Sequence, residues 1–509
     1  MTEAVGACAG PTPPRDINHH DHFHKSGCAG WNLPLRYVVV FLGLLGSTID
    51  YLVRNSISVA IVAMVNTTHT KGAAMPDACP AAINTSYNAL ADMEPGEYDW
   101  SLQQQGIVLA TFFWGYFITK TLGGRIAEVV GARETMGWSL GVCGVLSLLC
   151  PAAAHLHPLA LAAVRLLMGV AQGPAFPALY SVLASWSPPE ELATMVSVAY
   201  SGGALGSLIA LGVSAWVVEW LGWRWVFWGG GLLALTWAPL WFLVVRNTPH
   251  QHPCISERER KMLISIHVHP GRRIPWRSIA RCKVVYLLML VELGNMWVVN
   301  FSSTQGPTFL INQVGLSMKE SGWALMAMAA IGWVFYIVYG WLSDLILRHH
   351  LLSKLNTRRL MHITAMVWVC SSLVGIVWAG CRAALVAGLM QFIGLGLPAT
   401  ITSFQLTPMD IAPNYAGTLA GLIGLGDIAG FVAPIVTSHL ISLPHGWEAT
   451  ILLSCAVYLS VGLLYVLGLT ADVYDWNYYD EISSDAQQQT VSGTETTPGA
   501  SRPLSAGSP

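Results

Sequence analysis

The chain has 509 residues, of which 53% are hydrophobic and only 11% are charged, whereas an average soluble protein carries about 25% charged residues. This composition excludes an ordinary soluble enzyme and indicates a polytopic membrane protein. The formal net charge of -2 also excludes nucleic-acid binding, because such binding needs clustered excess positive charge.

Twelve stretches are long and apolar enough to span a membrane, for which a helix needs about 20 residues. We predict an all-α membrane protein with spans at residues 35–65, 101–123, 134–154, 158–181, 194–218, 224–245, 284–312, 321–342, 360–380, 383–404, 414–440 and 446–470. The predicted organisation has two six-helix halves, at residues 35–245 and 284–470, joined by a basic cytoplasmic linker at residues 246–283. Disordered cytoplasmic tails are predicted at residues 1–34 and 471–509.

The distribution of Lys and Arg predicts the orientation, because cytoplasmic loops carry the excess of these residues. One side of the predicted arrangement holds 19 of the 26, the other side holds 4, and 3 lie within spans. Both termini are therefore predicted to be cytoplasmic. The loop after the first span then faces the lumen or the cell exterior, where its two sequons predict glycosylation at Asn66 and Asn84.

A similar stretch follows the second and the eighth predicted spans. Each has a glycine, an acid four residues later and then a base: Gly124, Glu128 and Arg133 in the first, Gly340, Asp344 and Arg348 in the second. The glycine allows a tight turn between helices, and the acid can cap a helix N-terminus while it pairs with the base. We predict that the two acids and the two bases form a cytoplasmic gate. The repeat indicates two equivalent halves, a transporter architecture with the substrate site between them.

This stretch resembles the signature loop of the major facilitator superfamily. Other stretches resemble its anion:cation symporter branch, which includes sialin, the vesicular glutamate and nucleotide transporters and the sodium-phosphate cotransporters; they lie at residues 54–62, 111–116, 165–173, 176–178, 186–189 and 409–417. The resemblance implies a twelve-helix secondary transporter that moves an organic anion (acidic sugar, carboxylate) or phosphate by alternating access, coupled to protons, sodium or membrane potential. It also implies a lysosomal, vesicular or plasma membrane location.

The chain departs from this branch at positions that bear on the substrate. Gln172 stands where sialin and the glutamate transporters have Glu, and Asn295 falls where the glutamate transporters have a second arginine. Glutamate transport of the vesicular type is therefore poorly supported. By the positions they occupy in the comparison with this branch, Tyr116 and Asn295 are expected at the substrate site and Gln172 at the coupling site. A transport-dead sensor or receptor on the same scaffold is the alternative.

Ionisable residues inside spans are candidates for function, since an Arg near the centre of a spanning helix costs roughly 2.5–3.5 kcal/mol. Arg54 and Arg165 are expected to bind the anion, because a guanidinium grips carboxylate or phosphate with two hydrogen bonds. Asp50 lies four residues before Arg54, within salt-bridge reach, and the two form either a proton-dependent switch or a static pair. Glu292 and Asp427 are expected to face the cavity, where either could carry a coupling proton or cation. A structural role stays open for each of these residues.

Other residues have structural interpretations. Lys120, near the cytoplasmic end of the second span, is predicted to snorkel to the lipid headgroups. The ten cysteines show no CxxC pair and no zinc-site spacing, so we interpret them as packing residues. No metal, cofactor or enzymatic activity is predicted, since the hydrolase-like pattern at residues 137–141 lies in an apolar helix. Expected partners are the anionic solute, the coupling proton or sodium and membrane lipid, and a monomer is expected.

Overall fold

The structure is a computed structural model that describes residues 33–65, 79, 96–264, 274–441, 443–470 and 472–478. The predicted glycosylation sites Asn66 and Asn84 lie outside the described residues. Most of the two predicted tails also lies outside them.

Twelve helices within the described residues are long and apolar enough to cross a membrane. Spans 1 to 6 are Leu35–Met64, Gln103–Val130, Ala132–Leu156, Pro158–Trp186, Leu192–Leu221 and Arg224–Val244. Spans 7 to 12 are Lys283–Val314, Met318–Arg348, Lys354–Ala379, Ala383–Ile411, Pro413–Ile441 and Gly446–Gly468. Two short helices, Glu257–Ile264 and Trp276–Arg281, follow span 6. The predicted all-α fold with twelve spans is confirmed.

The even number of spans puts the start of span 1 and the end of span 12 on the same side of the membrane. We name this the termini side, and the opposite side the far side. The termini side is the one for which the sequence predicts contact with the cytoplasm. Spans 5 and 8 pack against each other, as do spans 2 and 11, so the two six-helix halves meet along two pairs of helices.

The repeated glycines do not form turns, contrary to the sequence prediction. Span 2 continues as a helix past Gly124 to Val130, and the chain turns at Gly131 with a φ of 115°, a conformation that favours glycine. Span 8 likewise continues past Gly340 to Arg348. No Gly or Pro follows either glycine before Val130 or Arg348, so nothing breaks the helix and it ends about two helical turns later than predicted.

Gly124 and Gly340 instead allow the two halves to approach closely. A β-carbon on Gly124 would lie 1.9 Å from the carbonyl oxygen of Gly417 in span 11. A β-carbon on Gly340 would lie 2.7 Å from the β-carbon of Ser197 in span 5. Both contacts lie toward the termini side, so the missing side chains permit closure of that side.

Each half also has its own apolar core. Three tryptophans, Trp186, Trp237 and Trp241, are buried in an apolar cluster that is formed mainly by the first half. Their indole N–H groups donate to backbone carbonyls at 2.9–3.0 Å, which satisfies the polar end of a ring that is otherwise surrounded by apolar atoms. These bonds join the end of span 4 to the segment after span 6, and span 6 to spans 1 and 3.

Two described contacts tie the chain together on the far side. A disulfide joins Cys79, in the loop after span 1, to Cys381, in the turn between spans 9 and 10. Arg224 binds both carboxylate oxygens of Glu97 at 2.9 and 2.7 Å, which holds the pKa of Glu97 below its usual range. Cys254, on the termini side, is also disulfide-bonded. The interpretation as packing residues is wrong for these three cysteines. Cys79 and Cys381 are 302 residues apart, so no local spacing in the sequence reveals their pairing.

We expect Gly124→Val to open the termini side, because its side chain would collide with the backbone of Gly417 and overpacking costs about 1–3 kcal/mol. In purified protein, maleimide labelling of a buried reporter, Ser197→Cys, should accelerate about fivefold or more. Gly106→Val is the matched control, since a β-carbon at Gly106, in the same helix, meets open space. Equal labelling rates in the two variants would contradict the interpretation that Gly124 permits closure of the termini side.

Candidate functional site

Charged and polar side chains from both halves meet inside the spans. We name six of them the central cluster: Asp50, Arg54, Tyr116, Lys120, Glu292 and Asp427. Solvent reaches at most 7% of four of these residues and 13–14% of the side chains of Lys120 and Asp427. Ionised groups at this depth are costly unless they are paired, so the partners of each residue decide what the cluster can do.

Asp50 and Arg54 form a closed ion pair. The Nη2 atom of Arg54 donates to Oδ2 of Asp50 at 3.0 Å, as the four-residue spacing along span 1 predicts. Gln172 of span 4 joins them: its Oε1 accepts from Nε of Arg54 at 3.4 Å, and its Nε2 donates to the backbone oxygen of Asp50 at 2.9 Å. The guanidinium is thus held from two sides in one orientation.

Aromatic rings surround the Arg54 guanidinium. Its Cζ atom lies 4.2 Å from the ring centre of Tyr116, 4.6 Å from that of Tyr51 and 5.4 Å from that of Phe112. Such cation–π contacts are worth about 2 kcal/mol when desolvated. Tyr51 and Phe112 were missed by sequence reasoning, although Tyr51 stands between Asp50 and Arg54 in the sequence.

Arg165 lies behind Arg54, in the interior of the first half. It is 1% exposed, and its Nη2 donates to the backbone oxygen of Arg54 at 3.1 Å. Its guanidinium also lies 4.7 Å from the ring centre of Phe112. Its Nε and Nη1 atoms have no hydrogen-bond partner among the described residues. Arg165 therefore braces the backbone that carries Arg54 and keeps two unused donors.

Lys120 does not snorkel to the headgroups, contrary to the sequence prediction. Its Nζ atom lies 2.5 Å from Oδ2 of Asp427 in span 11 and 3.8 Å from Oε1 of Glu292 in span 7. The ammonium of the first half is thus inserted between two carboxylates of the second half. The prediction failed because Asp427 is 307 residues away in the chain, so no local pattern reveals the partner.

Asn295 lies beside this contact, one helical turn after Glu292 in span 7. It is 4% exposed. The Glu292 carboxyl interacts with the side chain of Asn295 and with the carboxyl of Asp427. One oxygen of each of these three side chains has no hydrogen-bond partner among the described residues. The same part of the chain holds no group of three His, Cys, Asp or Glu placed for a metal. The second half thus presents acceptor oxygens to the cluster.

The predicted gate acids cap helices of the opposite half. The carboxylate of Glu128 accepts from the backbone N and Oγ1 of Thr418 at 2.9 and 2.7 Å. The carboxylate of Asp344 accepts from the backbone N of Ala193 at 3.1 Å and from the N and Oγ1 of Thr194 at 2.7 and 2.6 Å. A negative charge at a helix N-terminus is stabilising. The two halves are therefore joined on the termini side by an exchanged pair of caps.

The two predicted gate bases behave differently. Arg348 lies at the interface, with its Nη2 atom 3.8 Å from Oε1 of Glu191 in the first half. Arg133 does not reach the gate acid: it binds Glu134 at 2.8 Å and the carbonyl of Phe242, both in the first half. The pairing expected for Arg133 is wrong, because the longer span 2 carries it past the turn and into span 3.

Sequence reasoning also missed a buried pair in the second half. Arg358 of span 9 donates from Nε to Oδ2 of Asp410 at 2.7 Å, and from Nη1 to Ser343 and to the backbone of Thr402. Only 2% of either charged side chain is exposed. Arg358 looked like a loop residue because span 9 starts earlier than predicted, at Lys354. The feature of the sequence that could have pointed to this pair is the position of Asp410 in stretch 409–417, which resembles the anion:cation symporter branch.

We expect Arg358→Met to destabilise the protein by about 3–5 kcal/mol, because it leaves the carboxylate of Asp410 buried without its guanidinium. The double variant Arg358→Met, Asp410→Leu should recover most of this loss. Lys354→Met is the control, since Lys354 lies 3.5 Å from Asp410 but its side chain is 50% exposed. Thermal unfolding in detergent measures all three, and a double variant no more stable than the single one would contradict the interpretation.

Twelve spans in two halves, with buried charges between them and exchanged helix caps on one side, define a membrane transport protein. The sequence profile of the Major Facilitator Superfamily matches residues 43–434. The chain belongs to this family, as the resemblance implied.

Individual relatives place the chain in the anion:cation symporter branch. Sialin of Homo sapiens is 28% identical over 87% of this chain and 91% of sialin. A Drosophila melanogaster protein designated a candidate inorganic phosphate cotransporter is 29% identical over 91% of this chain and 89% of that protein. Vesicular glutamate transporter 3 of Danio rerio is 26% identical over 88% of this chain and 75% of that transporter.

A solved structure of the proton:xylose symporter XylE shares the fold. It superposes with a TM-score of 0.64 at 14% sequence identity and covers 84% of this chain and 95% of XylE.

Proposed function

We propose that the chain is a secondary carrier that moves an organic anion, such as an acidic sugar or carboxylate, or phosphate by alternating access. The observation that carries this proposal is the buried guanidinium of Arg54, oriented by Gln172 and enclosed by aromatic rings. A guanidinium in such a dry site favours an anion that accepts two parallel hydrogen bonds. Two relatives in this branch are named for anionic solutes, phosphate and glutamate. Their names support an anion as the transported substrate of this chain.

Asp50 competes with the anion for Arg54. While their ion pair is closed at 3.0 Å, the positive charge of Arg54 is neutralised. An arriving anion must displace the carboxylate, or a proton on Asp50 must release the guanidinium first. The pair therefore acts as the switch that links protonation to anion binding in this proposal.

The other residues of the site have supporting roles. Tyr116 and Gln172 orient Arg54, while Arg165 braces its backbone and offers two donors that lack a partner within the described part of the chain. Asn295 presents an amide from the second half, next to the carboxylates of Glu292 and Asp427, which we assign to ion coupling. The driving force is a proton or sodium gradient or the membrane potential, which is worth about 2.3 kcal/mol per charge per 100 mV.

The exchanged caps of Glu128 and Asp344 hold the termini side closed, and transport requires that they break. With Arg348 they form the gate of this proposal. The termini side faces the cytoplasm of a lysosomal, vesicular or plasma membrane, and the sequons at Asn66 and Asn84 face the other compartment. The excess of Lys and Arg on the termini side supports this orientation.

We expect Arg54→Gln to reduce uptake of the carried anion about 10- to 100-fold, the effect of losing roughly 1.5–3 kcal/mol from a charged hydrogen bond. Proteoliposomes are tested with labelled sialic acid, glucuronate, glutamate, phosphate, urate and ATP under imposed pH, sodium and voltage gradients. Arg277→Gln, an exposed position in a short helix of the linker, is the matched control. Binding without uptake by correctly oriented protein would favour a sensor instead of a carrier.

We expect Asp50→Asn to keep anion binding and to lose the pH dependence of uptake, because an amide cannot exchange a proton and no longer neutralises Arg54. Uptake of the same anion is measured from pH 5 to pH 8. A pH profile that parallels that of the unmodified chain would show that Asp50 is a static partner and would assign the proton to another group.

A further inference from the structure

The contact between Lys120 and the second half has the form of an occupied cation site. One ammonium of the first half lies 2.5 Å from Oδ2 of Asp427 and 3.8 Å from Oε1 of Glu292. The two carboxylates come from different spans, 11 and 7, and their side chains are 13% and 5% exposed. A free monovalent cation would be expected between two such carboxylates, and the Lys120 ammonium already lies there.

The surrounding atoms are those that a hard cation prefers. Oε2 of Glu292, Oδ1 of Asp427 and Oδ1 of Asn295 are buried and lack a hydrogen-bond partner among the described residues. Carboxylate and carbonyl oxygens are the usual ligands of hard metal ions. The two carboxyl groups share one ammonium, that of Lys120, as their ion-pair partner among the described residues, so loss of the ammonium would leave them without a cation.

We propose that Lys120 is a tethered counter-cation that takes the place of a coupling sodium ion. The native chain then needs no sodium, and removal of the ammonium uncovers a sodium site formed by Glu292, Asn295 and Asp427. The statement about coupling rests on the proposed transport function. The statement about the uncovered site does not, since ion binding to the purified protein requires no substrate.

The tether has a mechanical consequence. Lys120 belongs to the first half and its carboxylates belong to the second, so opening of the termini side pulls them apart. A free cation could leave with the substrate, whereas the Lys120 ammonium stays with the protein. The charge that crosses the membrane with each cycle is then that of the substrate and any proton, without sodium.

The uncovered site is tested by the thermal unfolding of purified full-length protein in NaCl and in N-methyl-D-glucamine chloride at equal ionic strength. The unmodified chain and Lys319→Gln, a matched change at an exposed lysine, should unfold at the same temperature in both salts. Lys120→Gln should show a saturable rise with sodium of about 2–4 °C. The same unfolding temperature for folded Lys120→Gln in both salts would overturn the proposal.

A second variant keeps the proposal testable if Lys120→Gln alone does not fold. Lys120→Gln combined with Asp427→Asn removes one positive and one negative charge together, so it should fold and should have lost the sodium response. A sodium response that persists in this double variant would place the ion elsewhere and overturn the assignment.

The coupling statement is tested by uptake of the carried anion in sodium and in N-methyl-D-glucamine medium. The unmodified chain should differ less than twofold between the two media, and a tenfold loss without sodium would overturn the inference while leaving the carrier proposal intact. Failure to transport any anion would instead count against the carrier proposal, and the unfolding result would still decide whether the sodium site exists.

Discussion

An ionised group inside the hydrocarbon layer needs a partner, and this requirement organises the interior of the protein. The partners form a continuous row: Asp50 pairs with Arg54, the ring of Tyr116 lies 4.2 Å from the Arg54 guanidinium and 5.8 Å from the Lys120 ammonium, and that ammonium pairs with Asp427. The row begins in the first half and ends in the second. A change of charge at either end therefore alters the environment of every member, because the interior screens such charges weakly.

The termini side depends on the same principle applied to helix ends. The first backbone N–H groups of a helix have no partner within the helix. Asp344 accepts from two of these groups at the start of span 5, and Glu128 accepts from one at the start of the helix Ala416–Ile423 in span 11. Gly124 and Gly340 remove the side chains that would keep these acids at a distance. Under the proposed function this closure is specific but reversible, since water can replace a capping carboxylate whereas it cannot replace a buried charge partner.

The sequence predicts features set by local composition and fails where the partner is remote. Apolar length locates the twelve spans, and the four-residue spacing of Asp50 and Arg54 anticipates their ion pair. The burial of Lys120, the disulfide of Cys79 and the pairing of Arg358 depend on residues that only the folded chain brings near. The turn predicted at Gly124 failed for a related reason. A glycine at the end of an apolar stretch is compatible both with a turn and with a close helix contact, and only the folded chain shows which one forms.

Charge balance inside the spans connects the site to its coupling. Arg54, Arg165 and Lys120 carry three formal positive charges, and Asp50, Glu292 and Asp427 carry three negative charges, so the buried set is neutral before the cargo arrives. A bound anion adds a negative charge that a weakly screened interior disfavours. A proton on one of the three carboxylates restores neutrality, and Asp50 is the carboxylate whose protonation also frees Arg54. Under the proposed function, the same event therefore prepares the binding site and compensates the charge of the anion, which gives coupling a physical basis without any further ion.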